Sequence, residues 1–547
     1  MTASAPAPPR APVAPRRKPW LVVTVIVAVV LVLSGVAAYF VLFRPPEVRV
    51  VTYAVTSEMV TLDPSTEFSN SGLVLSNVYE ALTKFDPVAQ EPKPWLATSW
   101  QSSADGLTWT FSLRQGVKFH DGTPFNATAV KFSIDRTWRM QSGAFFIWFP
   151  VNWSHPTPVE VVSEYVVRFH LNYSAPMDWI ASAGYGAWIF SPNTPGGSDA
   201  GMAEWFEAGH DSGSGPYTLV TEQYSKTRVV FQRSNDYWGG WRAGQFDFAV
   251  IRVINDPAQR EAAVREGDVD ITIDVPVQDL PQLQADPRLK VEIKPSYRTM
   301  YAFLNNGRAP TDNASFRRAL AYAIPYDDII ASVVSGIGSQ PVGIVPAGMW
   351  GHDDTLPKFE FNLAKAQQFL AQSPYPTGGV TLKLTYTQDD LFEQQFATLW
   401  KEKLAQLGIT LNIFGLPWEQ QWALAQAGPA GSPDVQDIFV MYWWPTYITP
   451  YDFLWNLFHS GSYAFFNLGY YDYPAFDGTI DEASALEASD RATALAKYRE
   501  AQLMLYNDAA AVGIVDLKNF YVMKSDLRGF KDNAAYPLVV FFYELSR

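Results

Sequence analysis

After residue 50 the apolar positions follow two alternating cadences. Asp247 to Ile254 is a short, mostly apolar run that predicts a strand. Asp256-Pro257-Ala-Gln259 then offers a capping carboxylate, a proline at the first helical position and a Gln three residues after the cap. Gly267 stops that helix, and Val269, Ile271 and Ile273 alternate as the next strand. A second unit repeats the logic. Val380, Leu382, Leu384 and Tyr386 alternate; Phe396, Leu399, Trp400, Leu404 and Leu407 share a helical face; Gly408 ends it and Ile409 to Phe414 supply a strand. Further helices are expected at 313–333 with a break near Pro325, at 363–372, and at 489–508 with a stripe of Ala492, Leu495, Tyr498, Ala501 and Leu505. Trp109 to Leu113 and Val117 to Phe119, around Gly116, predict short antiparallel strands. Strand–helix–strand order makes the fold class α/β with partly parallel sheets.

Residues 20–43 break the cadence. Trp20 to Phe43 runs without a charge and as a helix spans about 36 Å at ~1.5 Å per residue, enough for a hydrocarbon core of about 30 Å. Before it, residues 1–19 are an Ala/Pro-rich basic tail with Arg10, Arg16, Arg17 and Lys18. The positive-inside rule then expects a cytoplasmic tail, one transmembrane helix acting as a signal-anchor, and everything beyond it extracytoplasmic at the cell membrane. The alternative is a cleaved signal peptide, whose apolar region is about 7–15 residues; this run is longer, and only Gly35-Val36-Ala37-Ala38 resembles a cleavage site.

Composition sharpens this picture. The net charge of −14 divides into +5 over residues 1–50 and −19 over residues 51–547, so the outer part is acidic and no nucleic-acid partner is expected. Cysteine is absent, which excludes disulfides, thiolate metal sites, cysteine nucleophiles and a lipidated N-terminal cysteine. The six histidines are scattered, so no metal site is expected; no phosphate loop or nucleophile elbow occurs, and no cofactor is implied. Acid pairs such as Asp353-Asp354 and Asp389-Asp390 read as solvated loop or cap residues, with a glycosidase as the rival reading. Nothing in the chain requires an enzyme. Asn126, Asn152, Asn172 and Asn313 head sequons. Aromatic residues reach 15%, which suits a protein that stacks on or encloses something.

Several blocks together resemble the family 5 extracellular solute-binding proteins, the oligopeptide-, dipeptide- and nickel-binding receptors of ABC importers. They are Thr61-Leu-Asp-Pro64, Asn77-Val-Tyr-Glu-Ala-Leu82, Pro94-Trp-Leu-Ala-Thr-Ser-Trp100, Asp105-Gly-Leu-Thr-Trp-Thr-Phe111, Leu113 through His120-Asp-Gly-Thr-Pro-Phe125, and Ala129-Val-Lys-Phe-Ser133. Gly213-Ser-Gly-Pro-Tyr217, Asn235-Asp-Tyr-Trp-Gly-Gly240, Phe316 to Ile324 and Tyr470 to Asp477 continue the series to about residue 535. The resemblance implies a two-lobed, periplasmic-binding-protein-like ectodomain of the type II flytrap kind. Lobe I is expected at 51–298 with an inserted subdomain at about 75–205, lobe II at 299–513, and a return to lobe I at 514–547. The hinge is expected at Pro295–Asn305 and Ala511–Lys518. It further implies a receptor that captures a peptide-like solute and delivers it to ABC permease subunits and their ATPase, with the ectodomain acting as a monomer. An oligosaccharide receptor of the same class and a sensory ectodomain stay open as alternatives.

For the ligand site, the segment Met441-Tyr-Trp-Trp-Pro-Thr-Tyr-Ile-Thr-Pro450 resembles a Trp-x-Ala-Asp-Tyr-x-Asp-Pro stretch in peptide-binding relatives, whose first Asp meets the peptide ammonium. Trp443, Tyr447 and Pro450 match, whereas Thr446 stands in place of that Asp and Thr449 in place of the second. A neutral hydroxyl cannot supply a charge-assisted bond. The candidate ligand-binding residues are Trp443, Trp444, Thr446, Tyr447, Asn467, Tyr301, Asn305, Ser57 and Glu58. The turn blocks are expected to serve packing.

Overall fold

In the computed structural model both strand–helix–strand units form. Residues 48–547 are described apart from 389, 429, 430, 463, 464 and 488, and of the first 47 only 1, 20, 24, 30–32 and 34 are described. The expected membrane helix at 20–43 therefore falls mostly outside the described residues; among those, no helix is long and apolar enough to cross a membrane. The chain forms two compact units, Met1–Arg49 and Val50–Arg547, and among the described residues every strand belongs to the second.

In the first strand–helix–strand unit the strands are Phe248–Val253 and Ile271–Ile273, joined by the helix Pro257–Glu266. Asp256 accepts from the Gln259 N–H at 2.8 Å and Gly267 closes the helix at φ 93°. In the second, Thr381–Thr387 and Thr410–Leu416 pair in parallel around the helix Leu391–Ala405. The helix expected at 313–333 stops at Tyr322 and resumes at Tyr326 after Pro325. Leu363–Ala371 is helical too. In Arg491–Asp508 the buried face is Ala494, Tyr498, Ala501, Gln502 and Leu505, while Leu495 is 36% exposed. The stripe expected through Ala492 and Leu495 is therefore wrong in the first turn, where both are exposed and packing buries Ala494 instead. Val117-Lys-Phe119 is not a strand. Gly116 turns the chain at φ 80°, and Lys118 makes an isolated bridge to Pro124.

The strands, in chain order, are β1 (Val50–Val55), β2 (Thr83–Asp86), β3 (Glu91–Pro94), β4 (Ala97–Ser102), β5 (Thr108–Leu113), β6 (Val159–Ser163), β7 (Val166–His170), β8 (Tyr217–Leu219), β9 (Arg228–Arg233), β10 (Phe248–Val253), β11 (Ile271–Ile273), β12 (Leu289–Leu304), β13 (Gly338–Ser339), β14 (Thr381–Thr387), β15 (Thr410–Leu416), β16 (Ile438–Trp443) and β17 (Ala511–Lys524). Among the described residues, eleven of them make one sheet of order β15-β14-β16-β12-β17-β11-β1-β10-β9-β8, with β13 on β17. A smaller antiparallel sheet, β4-β5-β7-β6, stands apart.

The register of the large sheet positions everything else. β12 and β17 are 16 and 14 residues long and pair antiparallel along most of their length. At one end β11 pairs with β17 so that Ile273, its last residue, lies opposite Tyr521. At the other end β16 pairs with β12 so that Trp443, its last residue, lies opposite Thr299. Both flanking sets of parallel strands therefore point their carboxyl ends at the middle of the β12–β17 pair. There the ladder breaks: Pro295 pairs with Lys518 and Thr299 with Asp516, so Ser296, Tyr297 and Arg298 bulge against Leu517. Tyr297 takes φ 52°, the left-handed region seldom adopted by large side chains.

The sequence blocks that carried the resemblance meet inside. Glu80 accepts from the Trp95 indole (2.8 Å), the Ser214 hydroxyl (2.8 Å), the Tyr237 hydroxyl (3.0 Å) and the Trp238 indole (3.0 Å), so four blocks converge on one buried carboxylate. Gly213 lies so near the Val78 carbonyl that a Cβ would sit 2.0 Å from it. Asp63 takes a bidentate pair from Arg136, both bonds 2.6 Å, with neither side chain more than 1% exposed. The C-terminal segment docks by Tyr53 donating to the Leu538 carbonyl and Asn77 bonding Val540 and Phe542.

Removing one partner of a buried ion pair strands the other charge. Arg136→Ala is thus expected to lower stability by about 3–5 kcal/mol, measured as the urea midpoint of the chain in detergent, whereas Asp63→Leu with Arg136→Met should lose clearly less. Equal midpoints for wild type and Arg136→Ala would refute this role.

Candidate functional site

Open α/β sheets bind ligands beyond the carboxyl ends of their parallel strands. Here the ends of β1, β11, β14 and β16 border one cavity of about 470 Å³. Ser296 and Arg298 reach its wall from the bulge in β12, and Asn519 from β17.

One side of the wall is aromatic. Phe68 packs edge-on to Tyr185 at 5.3 Å, and Phe466 meets Trp443 edge-on at 4.8 Å. Trp418, Trp444 and Met441 complete this side. Phe68 is held by its neighbour Glu67, whose buried carboxylate accepts from the Ser69 and Ser71 N–H groups at 2.6 and 2.9 Å. Burial pushes Glu67 up to about 7. Trp443 is oriented from behind: its indole N–H donates to Asp452 at 3.0 Å, and the same carboxylate takes the Thr446 N–H at 3.3 Å and the Asn456 amide at 3.2 Å. Asp452 is fully buried, and desolvation pushes it up to about 8.

The other side is charged. Asp390 caps the helix Leu391–Ala405, accepting the Glu393 N–H at 2.9 Å, and also takes the Tyr442 hydroxyl at 3.2 Å. Glu393 is 1% exposed and accepts the Thr387 N–H at 2.7 Å; burial first, then the charge of Asp390, pushes it up to about 8. The Arg298 guanidinium lies over the Tyr442 ring, 5.3 Å from its centroid.

Of the residues expected from sequence, the structure brings Ser57, Trp443 and Trp444 to the wall. Thr446 and Tyr447 lie behind it, 2% and 4% exposed. Thr449 caps the helix Pro450–Phe458 through the Tyr451 N–H. Asn467 spends its amide on the Phe458, His459 and Tyr471 carbonyls. Tyr301 donates to the Ile344 carbonyl and Asn305 accepts the Gly307 N–H. Glu58 is exposed and off the wall. Sequence reasoning missed Phe68, Tyr185, Arg298, Glu393, Trp418 and Phe466. The usable signal was position at strand ends: Thr387 to Asp390 follows β14 as Tyr442 to Trp444 closes β16. Asp390 is the cap it was expected to be, and it also faces the cavity. Among the described residues no group of three or more His, Asp or Glu side chains is arranged to hold a metal ion.

Comparison with known proteins agrees with this architecture. A family model described as bacterial extracellular solute-binding proteins, family 5 Middle, matches residues 91–465. The chain is 28% identical over 480 residues to a probable D,D-dipeptide-binding periplasmic protein of Escherichia coli, covering 86% of this chain and 89% of that one. It is 26% identical over 479 residues to heme-binding protein A of Haemophilus influenzae, covering 83% and 84%. An ABC transporter-associated periplasmic binding protein from Helicobacter pylori, solved with peptide STSA, superposes with a TM-score of 0.76 at 24% identity, over 91% of this chain and 98% of that one. That likeness shows the two-lobed α/β fold.

The raised carboxyls set a pH dependence. Unfolded Asp and Glu lose their protons near pH 4, whereas native Glu67, Glu393 and Asp452 keep theirs to about 7 or 8. Between these values the native state binds more protons, so stability falls as pH rises from about 4 to about 8. The thermal midpoint is expected to be clearly higher at pH 5.5 than at pH 8, and Asp452→Asn should flatten the slope. A midpoint that rises across this interval contradicts the assignment.

Proposed function

Because the chain belongs to the bacterial extracellular solute-binding proteins, family 5, we propose that its outer part captures a peptide-like small solute in this cavity and presents it to an ABC permease. The cavity carries the reading. Its volume of about 470 Å³ suits a short peptide or similar molecule, and it pairs an aromatic wall with charges of both signs, as a ligand with side chains and ionised ends requires. The names of the relatives support it: one is a probable D,D-dipeptide-binding protein, and the Helicobacter pylori structure holds a peptide.

In this reading lobe I is 51–298 with 514–547, lobe II is 299–513, and the bulged middle of β12 and β17 is the hinge. Ligand touches both lobes only when they close, so it shifts the population toward the closed form that a permease distinguishes. Ser57, Trp443 and Trp444 contact ligand, whereas Thr446, Tyr447, Asn467, Tyr301 and Asn305 hold the wall in place. Residues 20–43 keep the receptor at the outer face of the membrane.

Two measurements test this. The full chain in detergent is offered a pool of dipeptides and tripeptides together with neutral oligosaccharides, and captured species are identified by mass spectrometry. Peptides are expected, with Trp444→Ala weakening the best of them by about 10- to 100-fold; capture of sugars alone, or of nothing, rejects the peptide reading. For the anchor, the chain expressed in a bacterium should stay with the membrane after an alkaline wash and keep its N-terminus. A soluble product starting near Ala38 would show that the anchor is cleaved.

A further inference from the structure

Two hydrogen-bond donors on the cavity wall have no acceptor among the described residues. They are the Arg298 Nε and the Asn519 amide nitrogen, both buried. They come from β12 and β17, the two strands whose middle the cavity adjoins. Arg298 sits in the bulge, where its N–H donates to the Ser296 hydroxyl at 3.1 Å and Ser296 in turn donates to the Leu517 carbonyl at 2.6 Å. The backbone is thus fixed, and the guanidinium rests on the Tyr442 ring face without an ion pair among the described residues. Asp274 acts on it through space, but burial pushes that carboxyl up, which weakens it as a competing charge. Asp390 lies at the hydroxyl end of Tyr442, beyond the ring that Arg298 covers.

A buried charged donor without an acceptor is costly and uncommon in native proteins. A guanidinium presents its N–H groups as a planar fork that fits a carboxylate. We propose that Arg298 and Asn519 receive a carboxylate of the ligand beside the bulge in the pairing of the two long strands, with the ligand's cationic end directed toward Asp390. This rests on the peptide reading above and narrows it: the ligand class is one with a free carboxylate, and the residue that selects it lies at the hinge, outside the Trp443–Thr449 segment.

The test uses the full chain in detergent and calorimetric titration. A peptide captured from the pool is compared with its C-terminal amide and, where it contains Asp or Glu, with the Asn or Gln analogue, which separates a terminal from a side-chain carboxylate. One of these neutral analogues is expected to bind wild type at least about tenfold more weakly than the acid. Arg298→Gln should lose at least about tenfold for the acid while leaving that analogue within about twofold, and Arg298→Lys should retain part of the preference. Equal binding of acid and neutral analogues by wild type overturns the proposal. So does an Arg298→Gln protein that loses acid and analogue alike. In both cases the peptide reading stands, because peptides were captured; capture of neutral sugars only, or of nothing, overturns both.

Discussion

The pairing of β12 with β17 is the constraint on which the rest depends. These strands are long enough to serve as the spine of both halves of the sheet, and the parallel strands on either side are set into them with their carboxyl ends facing the middle. A continuous ladder there would leave flat backbone at the cavity floor. The bulge at Ser296 to Arg298 instead ends pairing locally and turns an arginine toward the space between the strand ends. Fold, cavity and charge placement share this cause.

Around that spine the protein uses buried carboxyls as junctions. Glu80 joins four chain segments through hydroxyl and indole donors, and Asp63 with Arg136 joins the first loop to the helix Ala127–Met140. Asp452 does the same behind the cavity, fixing Trp443 and the Thr446 backbone at once. Each junction must meet its desolvation cost with several donors, which explains why the blocks surrounding it are so rich in Trp, Tyr and Ser. The aromatic surplus of the sequence has two uses accordingly: some indoles and phenols serve as donors inside, and others form the cavity's apolar side.

The substitution of Thr446 and Thr449 for carboxylates gains a structural meaning. Thr446 gives its backbone N–H to Asp452 and Thr449 caps the next helix, so neither side chain stands on the cavity wall. Negative charge on the wall comes from Asp390, which belongs to a different strand end. Asp390 was visible in the sequence as one of two adjacent acids, but adjacency suggests solvent, and only the cap geometry beside Tyr442 places it on the wall.

By itself the sequence determined the α/β class, the two clearest strand–helix–strand units, the helix ends at Asp256 and Gly267, and the blocks that meet at Glu80. These are local matters: period, capping and turn chemistry act over a few residues and are written in the order of the chain. It also marked Ser57, Trp443 and Trp444. Only the tertiary structure decided that the first turn of Arg491–Asp508 buries Ala494, that Tyr447 and Asn467 lie behind the wall, and that the Arg298 Nε and the Asn519 amide nitrogen stand on it without an acceptor among the described residues. The last of these depends on register between strands more than 200 residues apart, and a shift of one residue would reverse which of their side chains face the cavity, a choice that no local pattern encodes.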